Sequence, residues 1–277
     1  MLRLVKTNLR NYVFSKFTVI AVVLLLGGTV LDYNPDSSDD GYLVKFFVFY
    51  SLFVVCAAVF IKSENDKRSG FYRNMLVAGC KRWQVFSAHV IASAIYGGAI
   101  YLTEAIIVCA ATGSAEALLT CVAAYMFWSA AAACFSMLMD NILTALFAVL
   151  AAAAFMFGIS SLVTEPLYET QYEYTYLDEY GRKDFVNGEF TVLDNPKYIG
   201  GAARVCLKTL AYLNPFAQME YAKTAIKDVI GFDNDYYYNH KNKVPYMYEL
   251  CFPLITLGLM AALTLGGCVF FRKKDLE

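Results

Sequence analysis

The chain has 277 residues, of which 58% are hydrophobic and only 17% are charged, and its formal net charge is −1. Soluble domains are roughly 45–50% apolar and about 25% charged, so this composition argues against an ordinary soluble enzyme and against a disordered chain. The near-neutral charge gives no overall basic field of the kind that points to nucleic acid. The composition predicts an all-α polytopic membrane protein.

Several kinds of catalytic and metal-binding site are also excluded by the sequence. The chain has two histidines, and neither its eight cysteines nor its glycines form a CxxC zinc motif or a GxxxxGK[ST] phosphate loop. A Cys206–Cys251 bridge stays open. The Gly158-Ile159-Ser160-Ser161 run is a poor match to a serine protease, and its segment contains no histidine. We therefore expect no catalytic residue, no metal site and no cofactor in this chain.

Six apolar segments are long enough to cross a bilayer, which takes about 20 residues of helix. In chain order they are 14–31, 43–61, 85–111, 117–139, 142–163 and 250–271. The first follows a basic stretch and so also fits a signal peptide, but no A-x-A-type cleavage site comes after it. We expect six transmembrane helices.

The orientation follows from the distribution of Lys and Arg. Thirteen of these residues lie in 1–16, 62–82 and 272–277, whereas 32–42 and 112–116 contain none. Because positive charge in short segments favours the cytoplasmic side, we expect both termini in the cytoplasm.

The first residues have the pattern of an N-terminal amphipathic interfacial helix over 2–13. Arg3, Lys6 and Arg10 share one helical face. The other face carries Leu2, Val5, Leu9 and Val13. The alternative is that this stretch extends the first span and anchors it with basic residues.

A long segment at about 164–248 is expected outside the cell as an α+β extracellular insertion between spans five and six. It is rich in tyrosine and contains 13 of the chain's 21. Alternation around Tyr172–Tyr176 and an Asn187-Gly188 turn signal predict a small β-meander at about 170–193. Two short helices should follow, separated at Asn214-Pro215. The predicted organisation is 1–163 for the interfacial helix and spans one to five, 164–248 for the insertion, and 249–277 for span six and the tail.

The loop between the second and third spans is the most informative part of the sequence. We expect a short helix from about 70 to 78, lying across the membrane surface. Such a helix would present Phe71, Met75 and Leu76 to a groove on a cytosolic partner, with Arg73 at the rim.

This loop resembles the ATP-binding-cassette type-2 exporter permease family, the membrane subunits of many bacterial exporters. Members commonly show an acidic residue, a glycine, a basic residue followed by Asn, a leucine, a Gly or Pro, and an arginine that opens the third span. The matching residues here are Asp66, Gly70, Arg73, Asn74, Leu76, Gly79 and Arg82. The ending FRKKDLE is similar to the family's usual tail, whereas His89 stands near a position where many members carry Lys.

The resemblance implies a permease subunit in a bacterial cell membrane that is not itself an enzyme. Two such chains, identical or paralogous, would pair to form the translocation path. Separate ATPase subunits, which carry the ATP and Mg, would dock on the 63–82 loop helix. The apolar spans suit an amphipathic peptide, lipid or drug as substrate.

Candidate path residues come from two spans. The family commonly uses its second span for the path, and here that segment contains Phe46, Phe49, Tyr50 and Phe53. Glu104 lies in the third span, where a carboxylate is usually inward-facing and functional. The alternative for Glu104 is contact with the outer interface or with a neighbouring hydroxyl.

A second class of function stays open. The chain would then be a non-transporting membrane sensor or immunity protein that binds an external peptide through its Tyr-rich segment. Dependence on an ATPase partner separates the two classes.

Overall fold

The protein is mostly helical. The structure is a computed structural model, and it describes residues 1–32, 40–112, 118–169, 171–177, 189–219 and 247–272. Its elements in chain order are α1 (Leu2–Val13), α2 (Lys16–Asp32), α3 (Asp40–Arg68), α4 (Phe71–Val77), α5 (Arg82–Thr112), α6 (Leu118–Leu138), α7 (Ile142–Tyr168), β1 (Tyr172–Leu177), β2 (Glu189–Asp194), α8 (Gly201–Leu213) and α9 (Met247–Phe271).

Several of these helices are compatible with a membrane protein. Four segments of the described chain are long and apolar enough to cross a bilayer: Arg82–Leu102, Leu119–Leu138, Ile142–Leu167 and Cys251–Phe271. A fifth is obtained when α1 and α2, which meet at a 63° bend, are counted together as one broken span. The expected count of six therefore stays a prediction.

The centre of the bundle is the pair α5 and α6, which are largely buried, whereas α7 and α9 are largely exposed. Small residues allow the two central helices to approach closely: Gly97 lies against Ser129, and the run Ala130–Ala133 is buried. α9 closes one side, where the rings of Phe86 and Phe271 lie 5.1 Å apart. The core of the described chain is therefore built around α5 and α6.

α1 forms over the residues predicted for it; Val5 and Leu9 of the predicted apolar face pack partly buried against the core, and the same helix also buries polar residues. Asn8 and Tyr12 are each 1% exposed, and this face packs on α5. Leu2 and Val13, which were expected on the apolar face, are 85% and 54% exposed. The buried face thus carries an amide and a phenol, and α5 offers hydrogen-bond partners to the phenol of Tyr12 through Ser93 and His89. The three basic residues of α1 are exposed, as the pattern predicted.

At the other end of the bundle, β1 and β2 form an antiparallel pair in which Tyr172 faces Asp194. This agrees with the predicted meander, while the Asn187-Gly188 turn lies outside the described residues. α7 continues through Tyr168, so the predicted boundary at 163 falls inside a helix. Among the described residues Cys206 and Cys251 are both free, so the bridge left open above does not form.

α8 and the helical stretch at 215–219 meet at the predicted Asn214-Pro215 break. The Asn214 side chain accepts a hydrogen bond from the backbone N–H of Phe216 at 3.0 Å and donates to the carbonyl of Met156 in α7 at 2.7 Å. Asn214 therefore caps the second helix and ties the break to a spanning helix. The rest of that helix and the DYYYNHKNK run lie outside the described residues.

Candidate functional site

The predicted loop helix is α4, and glycines fix both of its ends. Gly70 has φ +70°, and its N–H bonds the carbonyl of Lys67, so it ends α3 and caps α4 at once. Gly79 has φ +89°. There the N–H groups of Gly79 and Cys80 bond the carbonyls of Leu76 and Met75, which is a Schellman motif. Left-handed backbone at both ends lets a seven-residue helix sit across the ends of two long ones.

α4 does not present the face that its sequence suggested. Tyr72 and Met75 are buried, and Phe71 and Leu76 are half-buried against the chain's own core. The outward residues are Arg73, Asn74 and Val77, the last of them 82% exposed. The expected docking of Phe71, Met75 and Leu76 into a partner's groove therefore needs correction, because the chain itself covers most of that apolar face.

Asp66 belongs to a nearly buried ion pair in the last turn of α3, two residues before its end. Its carboxylate contacts the Lys62 ammonium four residues earlier, and the two side chains are 9% and 11% exposed. Burial raises the pKa of the Asp66 carboxyl, and the hydrogen bond and charge of Lys62 oppose that rise. Asp66 thus stabilises the base of α4 rather than contacting solvent.

Lys67 anchors the same base to a second helix. Its ammonium donates to the carbonyl of Met139 at 2.8 Å and also to the carbonyl of Ser136, at the C-terminal end of α6. A cation there satisfies helix-end carbonyls and favours the negative end of the dipole. At the far side of α4, Arg82 donates to the carbonyl of Arg272 at 3.4 Å. The surface helix is therefore flanked by contacts to α6 and to the end of α9.

Behind α4 lies a buried polar cluster, which we define as Tyr12, Ser63, Tyr72, His89 and Ser93. The His89 ring is fully buried, with Nε2 2.8 Å from the Ser63 hydroxyl and 3.4 Å from that of Tyr12. The Tyr72 hydroxyl lies 3.2 Å from Nδ1. The cluster therefore joins α1, α3, α4 and α5 through one imidazole.

The hydrogen bonds of this cluster form a consistent set. Ser93 donates to the carbonyl of His89 at 2.9 Å, so the Tyr12 hydroxyl is the donor in its 2.7 Å bond to Ser93. A neutral imidazole has one donor and one acceptor nitrogen. The Tyr72 hydroxyl lies within 3.4 Å of both ring nitrogens, and those of Ser63 and Tyr12 lie within 3.4 Å of Nε2. Burial raises the pKa of the Tyr72 phenol well above its usual value, so this hydroxyl keeps its proton.

Sequence reasoning missed this cluster because its members come from four separate elements. The one local signal was His89 and Ser93, four residues apart on one face of a predicted apolar span. Within the described ranges, no three His, Cys, Asp or Glu side chains are close enough to hold a metal ion.

The structure describes the side chains of two of the five candidate path residues, Tyr50 and Phe53. The Tyr50 hydroxyl donates to the carbonyl of Leu24 at 3.3 Å and so ties α3 to α2. Phe53 is 45% exposed and faces away from the core of this chain. The side chains of Phe46, Phe49 and Glu104 lie outside the described ones. A path shared by these residues stays a prediction.

Comparison of the chain with protein-family models, with curated proteins and with solved structures gives no match.

Proposed function

We propose that this chain is the permease subunit of an ATP-driven exporter. It would sit in a bacterial cell membrane with six spans and both termini in the cytoplasm, and would form the translocation path with a second, identical or paralogous permease chain. ATP and Mg would be bound by separate cytosolic ATP-binding-cassette subunits. The observation that carries the proposal is α4, a short surface helix held rigidly between two long helices with an outward polar and apolar face.

The geometry of α4 suits a docking element. Its inner face packs on the core through Tyr72 and Met75, and α4 contacts both α3 and α5, so movement of α4 by a partner would be passed to these two helices. Arg73 and Val77 offer one charge and one apolar contact on the exposed side. Exposed apolar side chains beside a charged rim are typical of helix-in-groove recognition.

The anchors around α4 support the same function. Lys67 holds the end of α3 to α6, so α4 rests on a base that resists bending when a partner presses on it. The exposed basic residues of α1 lie at the same end, where the first residue contacts Ser87 of α5. This concentration of basic residues favours the cytoplasmic side, where the ATPase subunits would be.

The largely exposed surfaces of α7 and α9 are compatible with the rest of the proposal. Leu162 of α7 and Leu265 of α9 are 70% and 69% exposed, so these helices face lipid or a second permease chain. An amphipathic peptide, lipid or drug is the substrate class that we propose, since it suits the apolar character of the spans.

The test is capture of the tagged full-length chain in mild detergent from its own host, followed by mass spectrometry. Three forms are compared: the wild type, Val77→Asp on the exposed face of α4, and Val205→Asp on α8. Val205 is the matched control, since it is an exposed helical valine (64%) at the opposite end of the bundle. We expect an ATP-binding-cassette subunit at a stoichiometric level with the wild type and with Val205→Asp, and its loss with Val77→Asp.

Two outcomes would count against the proposal. Wild-type chain that is intact and monodisperse but carries no ATPase would favour the sensor function, and peptide binding to the Tyr-rich segment would be measured next. Equal capture by all three forms would keep the exporter function but remove α4 as its docking element.

A further inference from the structure

We infer that His89 is a positioning residue that couples α4 to α1, so that displacement of the surface helix releases the N-terminal helix from α5. The coupling is a property of this chain alone. Only its use by an ATPase to drive transport rests on the proposed function.

The imidazole is the shared partner of the two helices. α4 reaches it through the Tyr72 hydroxyl, 3.2 Å from Nδ1, and α1 reaches it through the Tyr12 hydroxyl, 3.4 Å from Nε2. The rings reinforce these bonds: Tyr72 meets the His89 ring edge-on with centroids 5.3 Å apart, and Tyr12 stacks on it at 5.9 Å. The ring itself is fixed to α3 by Ser63, so moving Tyr72 changes the hydrogen bonding that Tyr12 meets.

A separate observation indicates that one residue of α1, Asn8, makes the docked position of this helix less favourable. Asn8 lies one turn before Tyr12 on the same face and is 1% exposed, yet neither its amide nitrogen nor its amide oxygen has a hydrogen-bond partner in the part of the chain that the structure describes. An amide removed from water without a partner disfavours the docked state. The contacts of Tyr12 to Ser93 and His89 must offset this penalty.

The two observations together describe a docked position of α1 that depends on the contacts of Tyr12. Tyr12 holds α1 against α5, the unpaired Asn8 amide on the same face disfavours that docked position, and Tyr72 of α4 contacts the His89 ring that Tyr12 also contacts. α1 and α2 meet at a 63° bend at residues 14–15, and the Thr18 hydroxyl of α2 donates to the carbonyl of Tyr12 across this bend. Loss of the contact between Tyr72 and His89 should therefore loosen α1 before it loosens the rest of the bundle.

Hydrogen exchange with mass spectrometry tests this on the purified full-length chain, without any partner. The readout is the exchange rate of the α1 amides. We expect Tyr72→Phe, which alters only α4, to raise that rate about fivefold, the equivalent of one net hydrogen bond. His89→Leu should raise it at least as much, and His89→Gln, which keeps a donor and an acceptor, should restore it in part. Asn8→Leu should lower it at least fivefold.

The matched control is Tyr198→Phe, which removes a phenol hydroxyl at the other end of the bundle, and the internal reference is exchange in α8. If His89→Leu also speeds hydrogen exchange in α8, that variant has loosened the whole bundle. The coupling of α4 to α1 is then judged by comparing α1 exchange in Tyr72→Phe with that in Tyr198→Phe. Unchanged α1 exchange in Tyr72→Phe overturns the coupling, and unchanged or faster exchange in Asn8→Leu overturns the opposed docking. Because no ATPase is present, failure here is distinct from failure of the capture experiment.

Discussion

Gly97 is where the packing of α5 against α6 can be tested most directly. A Cβ atom at Gly97 would lie 1.8 Å from the Ser129 hydroxyl oxygen, 2.6 Å from the Ser129 Cβ and 3.3 Å from the carbonyl oxygen of Tyr125. The hydroxyl can rotate away, but the Ser129 Cβ and the Tyr125 backbone cannot. The Cβ–Cβ approach is about 0.8 Å short of the 3.4 Å at which ordinary contact begins, so Gly97→Ala must push the two central helices apart.

Overpacking of a tight core costs about 1–3 kcal/mol, and we expect Gly97→Ala to lower the free energy of unfolding by about 2 kcal/mol. The measurement is reversible unfolding of the purified chain in detergent. Gly158→Ala is the matched control, since a Cβ there meets no atom within 4 Å, and it should lose nothing. The loss of free energy of unfolding in Gly98→Ala should lie between those of the other two variants, because the atom nearest to the new Cβ, 2.7 Å away, belongs to the flexible Met126 side chain.

A compensating change sharpens the test. Ser129→Gly in the Gly97→Ala background removes both clashing side-chain atoms, and it should recover most of the lost free energy despite the helix propensity of glycine. Gly97→Ala as stable as Gly158→Ala would refute the close approach of α5 and α6 on which this reasoning depends.

Two further predictions concern buried polar contacts. Lys62→Met should lower the free energy of unfolding by about 3 kcal/mol because it leaves the Asp66 carboxylate buried and unpaired, whereas Lys62→Met with Asp66→Asn should lose much less. Denaturant titration of the wild type, the two single variants and the double variant gives the coupling energy, and additive losses would contradict the pairing. Asn214→Ala should speed hydrogen exchange at 215–219 by about fivefold, because it removes the side-chain hydrogen bonds to Phe216 and Met156. Unchanged exchange there would show that the cap contributes nothing.

Much of the architecture could be predicted from local patterns. The helix expected at about 70–78 is Phe71–Val77, and the meander expected at about 170–193 contains β1 and β2. These succeed because glycine in the left-handed region, strand alternation and the Asn-Pro break act within a few residues of chain. The third to fifth spans could likewise be predicted from the length of their apolar segments alone.

The faces of the helices could not be predicted in the same way. α4 carries apolar side chains on both sides, Met75 inward and Val77 outward, so its sequence does not tell whether the chain or a partner covers each one. α1 was expected to lie at the membrane surface on a face of leucines and valines, and the face that packs on α5 also buries Tyr12, whose hydroxyl finds Ser93 and His89 there. Which face of α1 is buried depends on side chains that are 77 and 81 residues away from Tyr12 in the sequence and become adjacent to it only in the fold.

The glycines at the two ends of α4 have a consequence for how this chain can evolve. At Gly70 and Gly79 a Cβ would meet nothing within 4 Å, so what restricts these positions is the left-handed backbone and not the surrounding space. Asparagine is the replacement that such a backbone accepts most readily. Descendants of this chain should therefore keep Gly or Asn at both positions, while the exposed side chains of Arg73, Asn74 and Val77 remain free to change.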